Sequence, residues 1–333
     1  MALKLDVSKV YDNVEWSFLE QVMCRLGFPR LFTHLIMLCV SSVSYSFMLG
    51  GKQFGSLKPE RSLRQGDPLS PYLFLLCTES FSSLLQNAER EGHLQGVAVC
   101  RGAPSITHLL FTDDTLIFCQ ASPQSSHTIK GVLETYRRAS GQEINFSKSS
   151  VAFSRNTNEE LCLSVVSDLT IRRENKMELY LGLPSRIARS KRDLFSTLRD
   201  RIWHRVTGWN EKFLSQAGKE VLIKLVLQAI PTYAMGCFKL PISLLQEIQS
   251  MIARFWWNNR GVNKTHRISW NRLCASKLEG GLGFRQLHNF NLAMLAKQFW
   301  RIMQHPESLL SRVLKTRYFP TGNIFSASLG TRP

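Results

Sequence analysis

Apolar residues in the first 150 positions switch between a period of two and a helical period, and the switches mark out elements. Leu3-Lys4-Leu5-Asp6-Val7 alternates as a short strand. Trp16, Phe18, Leu19, Val22, Met23 and Leu26 form a helical stripe, with Asn13 as its expected cap and Gly27 and Pro29 as its end. Residues 31–40 read as a second helix, and 43–49 and 53–57 as strands joined by Gly50-Gly51. A polar loop over 61–67 leads through Pro68 and Pro71 into a long helix over about 72–90, prolines being tolerated in a first turn. Two apolar β runs, 105–110 and 115–119, meet at Asp113-Asp114 as a tight hairpin, where Asp tolerates positive φ. A helix over 125–139 and a strand near 143–146 complete a β-α-β-β-α-β order. The expected class is α+β, with an antiparallel sheet backed by helices.

The second half reads as helices over 189–206, 218–230, 242–257 and 291–303, with no internal repeat. Charge separates the halves more sharply than hydropathy does. Residues 1–150 hold 14 Lys and Arg against 13 Asp and Glu, whereas residues 151–333 hold 28 against 12. Nearly all of the formal net charge of +17 thus belongs to the second half, which suggests one part for chemistry and one for gripping a polyanion. Trp and Phe interleave with these cations, as in surfaces that stack nucleic-acid bases. A merely solubilising surface is the plainer alternative. A hydrophobic content of 44% over 333 residues is enough for a real core, and no apolar stretch reaches membrane-spanning length. The eight cysteines include no C-x-x-C pair, which argues against a local zinc site and for reduced core thiols in an intracellular protein.

Asp6 at a strand end and Asp113-Asp114 at a hairpin tip are the candidate chemistry. Two hard divalent cations held by carboxylates on adjoining strands would serve nucleotidyl transfer, provided the strands are neighbours. An Asp pair in a β-turn is, taken singly, ordinary turn chemistry.

Four segments, in order, resemble the palm motifs of reverse transcriptases: residues 3–12, Arg64-Gln65-Gly66-Asp67-Pro68-Leu69-Ser70-Pro71, Phe111-Thr112-Asp113-Asp114, and Gly141-Gln142-Glu143-Ile144-Asn145-Phe146-Ser147-Lys148. Tyr180-Leu181-Gly182-Leu183-Pro184 and Gly280-Gly281-Leu282-Gly283-Phe284-Arg285 are similar to the primer-grip turn and the C-terminal region of LINE-type, non-LTR retrotransposons of plants. The resemblance implies a polymerase palm over 1–155, a helical, basic thumb-like region over 156–270 and a C-terminal extension over 271–333.

It further implies Asp6, Asp113 and Asp114 as catalytic carboxylates and ligands of two Mg2+ or Mn2+ ions. Tyr11 would exclude a ribose 2′-hydroxyl, Gln65 and Gly66 would line the nucleotide pocket, and Lys148 would assist the leaving pyrophosphate. Core tyrosine and loop lysine are the structural alternatives for Tyr11 and Lys148. Thr112 stands where the plant elements usually carry a small residue. Because the sequence opens at the first palm motif, the fingers that cradle the triphosphate are expected to be absent. The expected function is RNA-directed DNA polymerase acting on an RNA template and a DNA primer, incomplete and inactive as this chain. A non-catalytic nucleic-acid-binding remnant is the alternative. No protein partner is indicated, and a nuclear location is suggested by the family alone.

Overall fold

The computed structural model describes residues 1–174, 179–184, 191–210, 214–257 and 268–327. Its contacts divide the chain into two units, Met1–Met177 and Glu178–Pro333. In the first, β1 (Ala2–Ser8) leads into α1 (Trp16–Arg25) and α2 (Arg30–Ser41), then into a ribbon of β2 (Tyr45–Leu49) and β3 (Lys52–Leu57). α3 (Ser70–Arg90) precedes the hairpin of β4 (His108–Phe111) and β5 (Asp114–Phe118). α4 (Pro123–Ser140), β6 (Glu143–Ile144), β7 (Ser150–Ala152), α5 (Glu159–Leu169) and β8 (Arg172–Arg173) complete it.

The main sheet runs β4-β5-β1-β7-β8, with β6 also paired to β1. All its pairings are antiparallel except β7 with β8. The two-residue period of β1 sorts its side chains. Leu3 and Leu5 are buried with Ile117 and Val151 against Phe81 and Leu85 of α3 and Ile129 and Leu133 of α4. Lys4 and Asp6 therefore occupy the opposite face. The α+β class and the antiparallel sheet backed by helices stand as the sequence predicts.

Local details differ. Asn13 does not cap α1: the N-cap is Glu15, without a side-chain cap bond, and the Asn13 amide donates to the Ser8 carbonyl. β7, α5 and β8 were not legible in the hydropathy pattern. α5 packs on α4 and contributes Val165 and Leu169 to the same core, so the first unit extends past residue 155.

The second unit opens with a small ribbon, β9 (Leu179–Tyr180) and β10 (Leu183–Pro184), and continues with α6 (Lys191–Leu194), α7 (Ser196–Asn210) and α8 (Gln216–Leu222). After α9 (Thr232–Cys237) come α10 (Ile242–Trp257), α11 (Trp270–Cys274), α12 (Leu287–Gln304) and α13 (Leu309–Tyr318). The helix predicted over 189–206 starts outside the described residues and is two helices within them. The one predicted over 218–230 gives way to a π turn at Ile223–Leu227. α10 has the predicted bounds.

One core joins Phe195, Ile202, Ile223, Ile248 and Phe255 with Leu273, Phe284 and Leu287, so residues on both sides of position 270 share it. Among the described residues no helix is long and apolar enough to cross a membrane. Burial pushes the Cys77 thiol up to about 12 and that of Cys119 to about 11, as befits thiols that serve only to pack.

Residues 280–285 act in packing. A Cβ on Gly281 would lie 2.1 Å from the Ala275 carbonyl oxygen, so only glycine lets these two backbones meet. Phe284 is thereby seated with Trp270 stacked at 5.2 Å and Trp256 edge-on at 5.4 Å. Buried Asn291 of α12 closes the C-terminal end of α9. Its amide donates to the Met235 and Phe238 carbonyls, and its Oδ1 accepts the Leu240 N–H. Asn291→Leu strands three backbone groups, two of them buried, and should destabilise the second unit by about 3 kcal/mol. A urea midpoint matching the natural sequence would refute this role.

Candidate active site

β1 and β5 pair so that Asp6 lies directly opposite Asp114. Phe111 pairs with Asp114 across the hairpin, which leaves Thr112 and Asp113 as the two loop residues. Three carboxylates thus come to one end of two adjoining strands. The positive φ of the turn belongs to Thr112 (49°), not to either Asp as expected. A β-branched residue there is strained, and its hydroxyl compensates by donating to Asp113 Oδ1 at 2.8 Å.

Asp6 is held by its backbone. Its carbonyl accepts the Asn145 N–H at 2.8 Å, and its N–H donates to Ser149 Oγ at 3.1 Å. Ser149 Oγ in turn donates to the Asn145 carbonyl. Residues 145–149 therefore clip the strand at the position of the carboxylate. Gly141 starts this approach with φ +75°, and a Cβ on it would come within 2.4 Å of the Asn13 carbonyl. Gln142, buried beside it, donates to the Val10 carbonyl at 2.7 Å. Sequence reasoning named neither Ser149 nor Gln142 as supports, although both lie in or beside the fourth motif.

Burial raises the Asp114 pKa, and the like charges of Asp113 and Asp6 add to the rise while Lys4 opposes it. Lys4 is two residues from Asp6 on the same face of β1. Carboxylate oxygens on adjoining strands suit a hard divalent cation, which would also relieve this like-charge repulsion. Among the described residues no three His, Cys, Asp or Glu side chains converge closely enough to hold an ion, so the three stand near one another but open.

The other expected site residues fall into two groups. Around the turn after β1, the Leu63 N–H donates to the Tyr11 carbonyl, and Gln65 Nε2 lies 3.4 Å from Asp12 Oδ1. The half-buried Tyr11 ring packs on Phe74 with centroids 5.4 Å apart. Gly66 follows with φ +87° and open space where a Cβ would sit. Lys148 is exposed, next to the Ser149 clip.

Two measurements test this local physics. Thr112→Gly should raise stability by about 1 kcal/mol by relieving the left-handed backbone. A loss would mean that the Asp113 hydrogen bond outweighs the strain. For Asp114, a folded pKa above the unfolded one means that the folded state binds the proton more tightly. Its cost is therefore fully present above the folded pKa and fades as pH falls through the unfolded value. Asp114→Asn should raise the thermal midpoint at pH 7, with a gain that shrinks toward the ordinary Asp value of 3.8. A gain independent of pH would refute the assignment.

Residues 1–184 match the family described as reverse transcriptase (RNA-dependent DNA polymerase). An uncharacterized mitochondrial protein of Arabidopsis thaliana is 47% identical over 107 residues, 32% of this chain and 70% of its own length. The transposon TX1 uncharacterized 149 kDa protein of Xenopus laevis is 23% identical over 305 residues, 90% of this chain. The chain spans only 22% of that protein's length. A telomerase of Candida tropicalis, solved in complex with a TWJ fragment of telomeric RNA, aligns at a TM-score of 0.36 and 13% identity over 80% of this chain and 44% of its own. A match over more than half of the chain, which includes the segments that bring Asp6 to the Asp113-Asp114 turn, decides the family: this chain belongs to the reverse transcriptases.

Proposed function

We propose that the first unit carries a site for template-directed nucleotidyl transfer, extending a DNA primer along an RNA template. The observation that carries this reading is the β1–β5 register, which sets Asp6 opposite Asp114 and puts Asp113 in the adjoining turn. Reverse transcriptases generally use divalent metal ions. Two Mg2+ or Mn2+ ions would activate the primer hydroxyl and neutralise the triphosphate. Asp6 and Asp113 are the proposed ligands to both ions, and Asp114, partly buried beside Lys4, supports the primer end.

The remaining residues position the nucleotide. Tyr11, wedged against Phe74, offers a rigid ring as a filter against a ribose 2′-hydroxyl. Gln65 and Gly66 border the nucleotide, where the open space at Gly66 leaves its backbone approachable. Exposed Lys148 donates to the leaving pyrophosphate.

A second reading, nucleic-acid binding without catalysis, draws on the charge of the second unit. Residues 178–333 carry 24 Lys and Arg against 8 Asp and Glu. Glu220 pairs with Lys224 and Lys277, and Glu247 with Arg192 and Arg199, which neutralises few of these cations. The interleaved aromatics are weaker support than their spacing suggested, because Phe195, Phe255, Trp256 and Phe284 are core. Trp203 and Trp300 remain exposed.

The readings part in two assays run side by side. Under the first, Mn2+ titration by electron paramagnetic resonance shows ions bound with at least about tenfold loss of affinity in Asp6→Asn and Asp113→Asn. Any primer extension on an RNA template disappears in the same variants. Mn2+ binding unchanged by either substitution would sink the catalytic assignment. Salt-dependent nucleic-acid binding without extension would leave the second reading.

A further inference from the structure

The β2–β3 ribbon is the part of the first unit that the site does not explain. It is a two-stranded sheet of its own, paired with no other strand among the described residues, and every residue of both strands is exposed. Such a ribbon is marginal in water unless something lies on it. Phe47 pairs directly with Phe54, and Leu49 with Lys52. The period of two then places Phe47, Leu49, Lys52 and Phe54 on one face. Phe47 and Phe54 are 68% and 51% exposed. The opposite face carries Met48, and Gln53 hydrogen-bonded to Ser46.

Charge indicates what the aromatic face would accept. From Gln21 to Pro59 the sequence has no Asp or Glu, while Arg25, Arg30, Lys52 and Lys58 fall within the same span. Two exposed rings on paired positions, with a lysine two residues before Phe54 on β3, match the chemistry of base stacking beside a phosphate. The ribbon is also continuous with the nucleotide loop. A small cavity is lined jointly by Val43 and Tyr45 at the ribbon's entry and by Arg64 and Asp67 of the loop that carries Gln65 and Gly66.

We propose that the Phe47–Phe54 face is a stacking platform for single-stranded nucleic acid, held where the strand approaches the nucleotide loop. The inference rests on the polymerase reading for its location but not for its chemistry. Binding there requires neither metal nor nucleotide.

The test is fluorescence anisotropy with a labelled oligo-uridine and a blunt duplex of the same length, without metal or nucleotide. Phe47→Ala/Phe54→Ala should weaken single-strand binding at least about fivefold and leave duplex binding unchanged. Lys52→Glu should lower the salt slope for the single strand by about 0.7. Met48→Ala, on the opposite face, should change nothing. Asp113→Asn removes a negative charge and should bind the single strand no more weakly than the natural sequence does, so a failed catalytic site and a failed platform give different results. Equal loss on duplex, or no loss at all, overturns the proposal. So does an effect of Met48→Ala as large as that of the two phenylalanines, particularly if sedimentation shows that the natural chain self-associates through the ribbon. Both aromatic substitutions are at exposed positions, and an unchanged thermal midpoint confirms that the fold persists.

Discussion

Everything in the first unit depends on the register of β1. This strand lies between β5 and β7, and its alternation divides two incompatible environments. Leu3 and Leu5 fill the core beneath α3 and α4, while Lys4 and Asp6 stand on the other side. A slip by one residue would exchange these sets, burying an aspartate and a lysine and exposing two leucines. The cost of that exchange fixes the register, and the register fixes Asp6 opposite Asp114. Core packing and the geometry of the acidic site are thus one constraint.

The site adds strain and repulsion to that frame. Thr112 occupies left-handed backbone, and Asp114 sits partly buried within reach of two like charges. Neither would persist on a loose hairpin. The clip from Asn145 and Ser149 onto Asp6, together with the Gln142 bond to Val10, stiffens the strand from the side opposite β5. The segment that reads in sequence as a fourth motif therefore supports the first one. It reaches Asp6 through hydrogen bonds to the backbone of that residue.

The second unit solves a different problem. Its excess of cations needs a core strong enough to hold a like-charged surface together. Much of the aromatic content is spent there, around Phe255, Trp256 and Phe284, with Asn291 tying α12 to the end of α9. Gly281 permits the close backbone contact that seats Phe284. Aromatic and basic residues that alternate in sequence are thereby sorted, with much of the former inside and most of the charge, buried Lys219 excepted, outside.

The sequence by itself determined the elements whose periodicity is strong: β1, α1 to α4, the Gly50-Gly51 ribbon, the Asp113-Asp114 hairpin and α10. It also determined the charge asymmetry, which composition alone carries, and the candidate carboxylates, which their motifs mark. Short elements such as β7 and β8 escaped it, because two or three residues show no period and pair only once neighbouring strands exist. The tertiary structure decided which residues support the site. Ser149 reaches Asp6 across 143 positions and Gln142 reaches Val10 across 132, distances over which no local pattern operates. It likewise decided that Thr112 bears the strained turn, since strand register, not residue preference, selects which positions form the loop. Side chains alike in sequence took opposite fates, Phe47 exposed and Phe255 buried, because burial depends on what the fold brings to cover them.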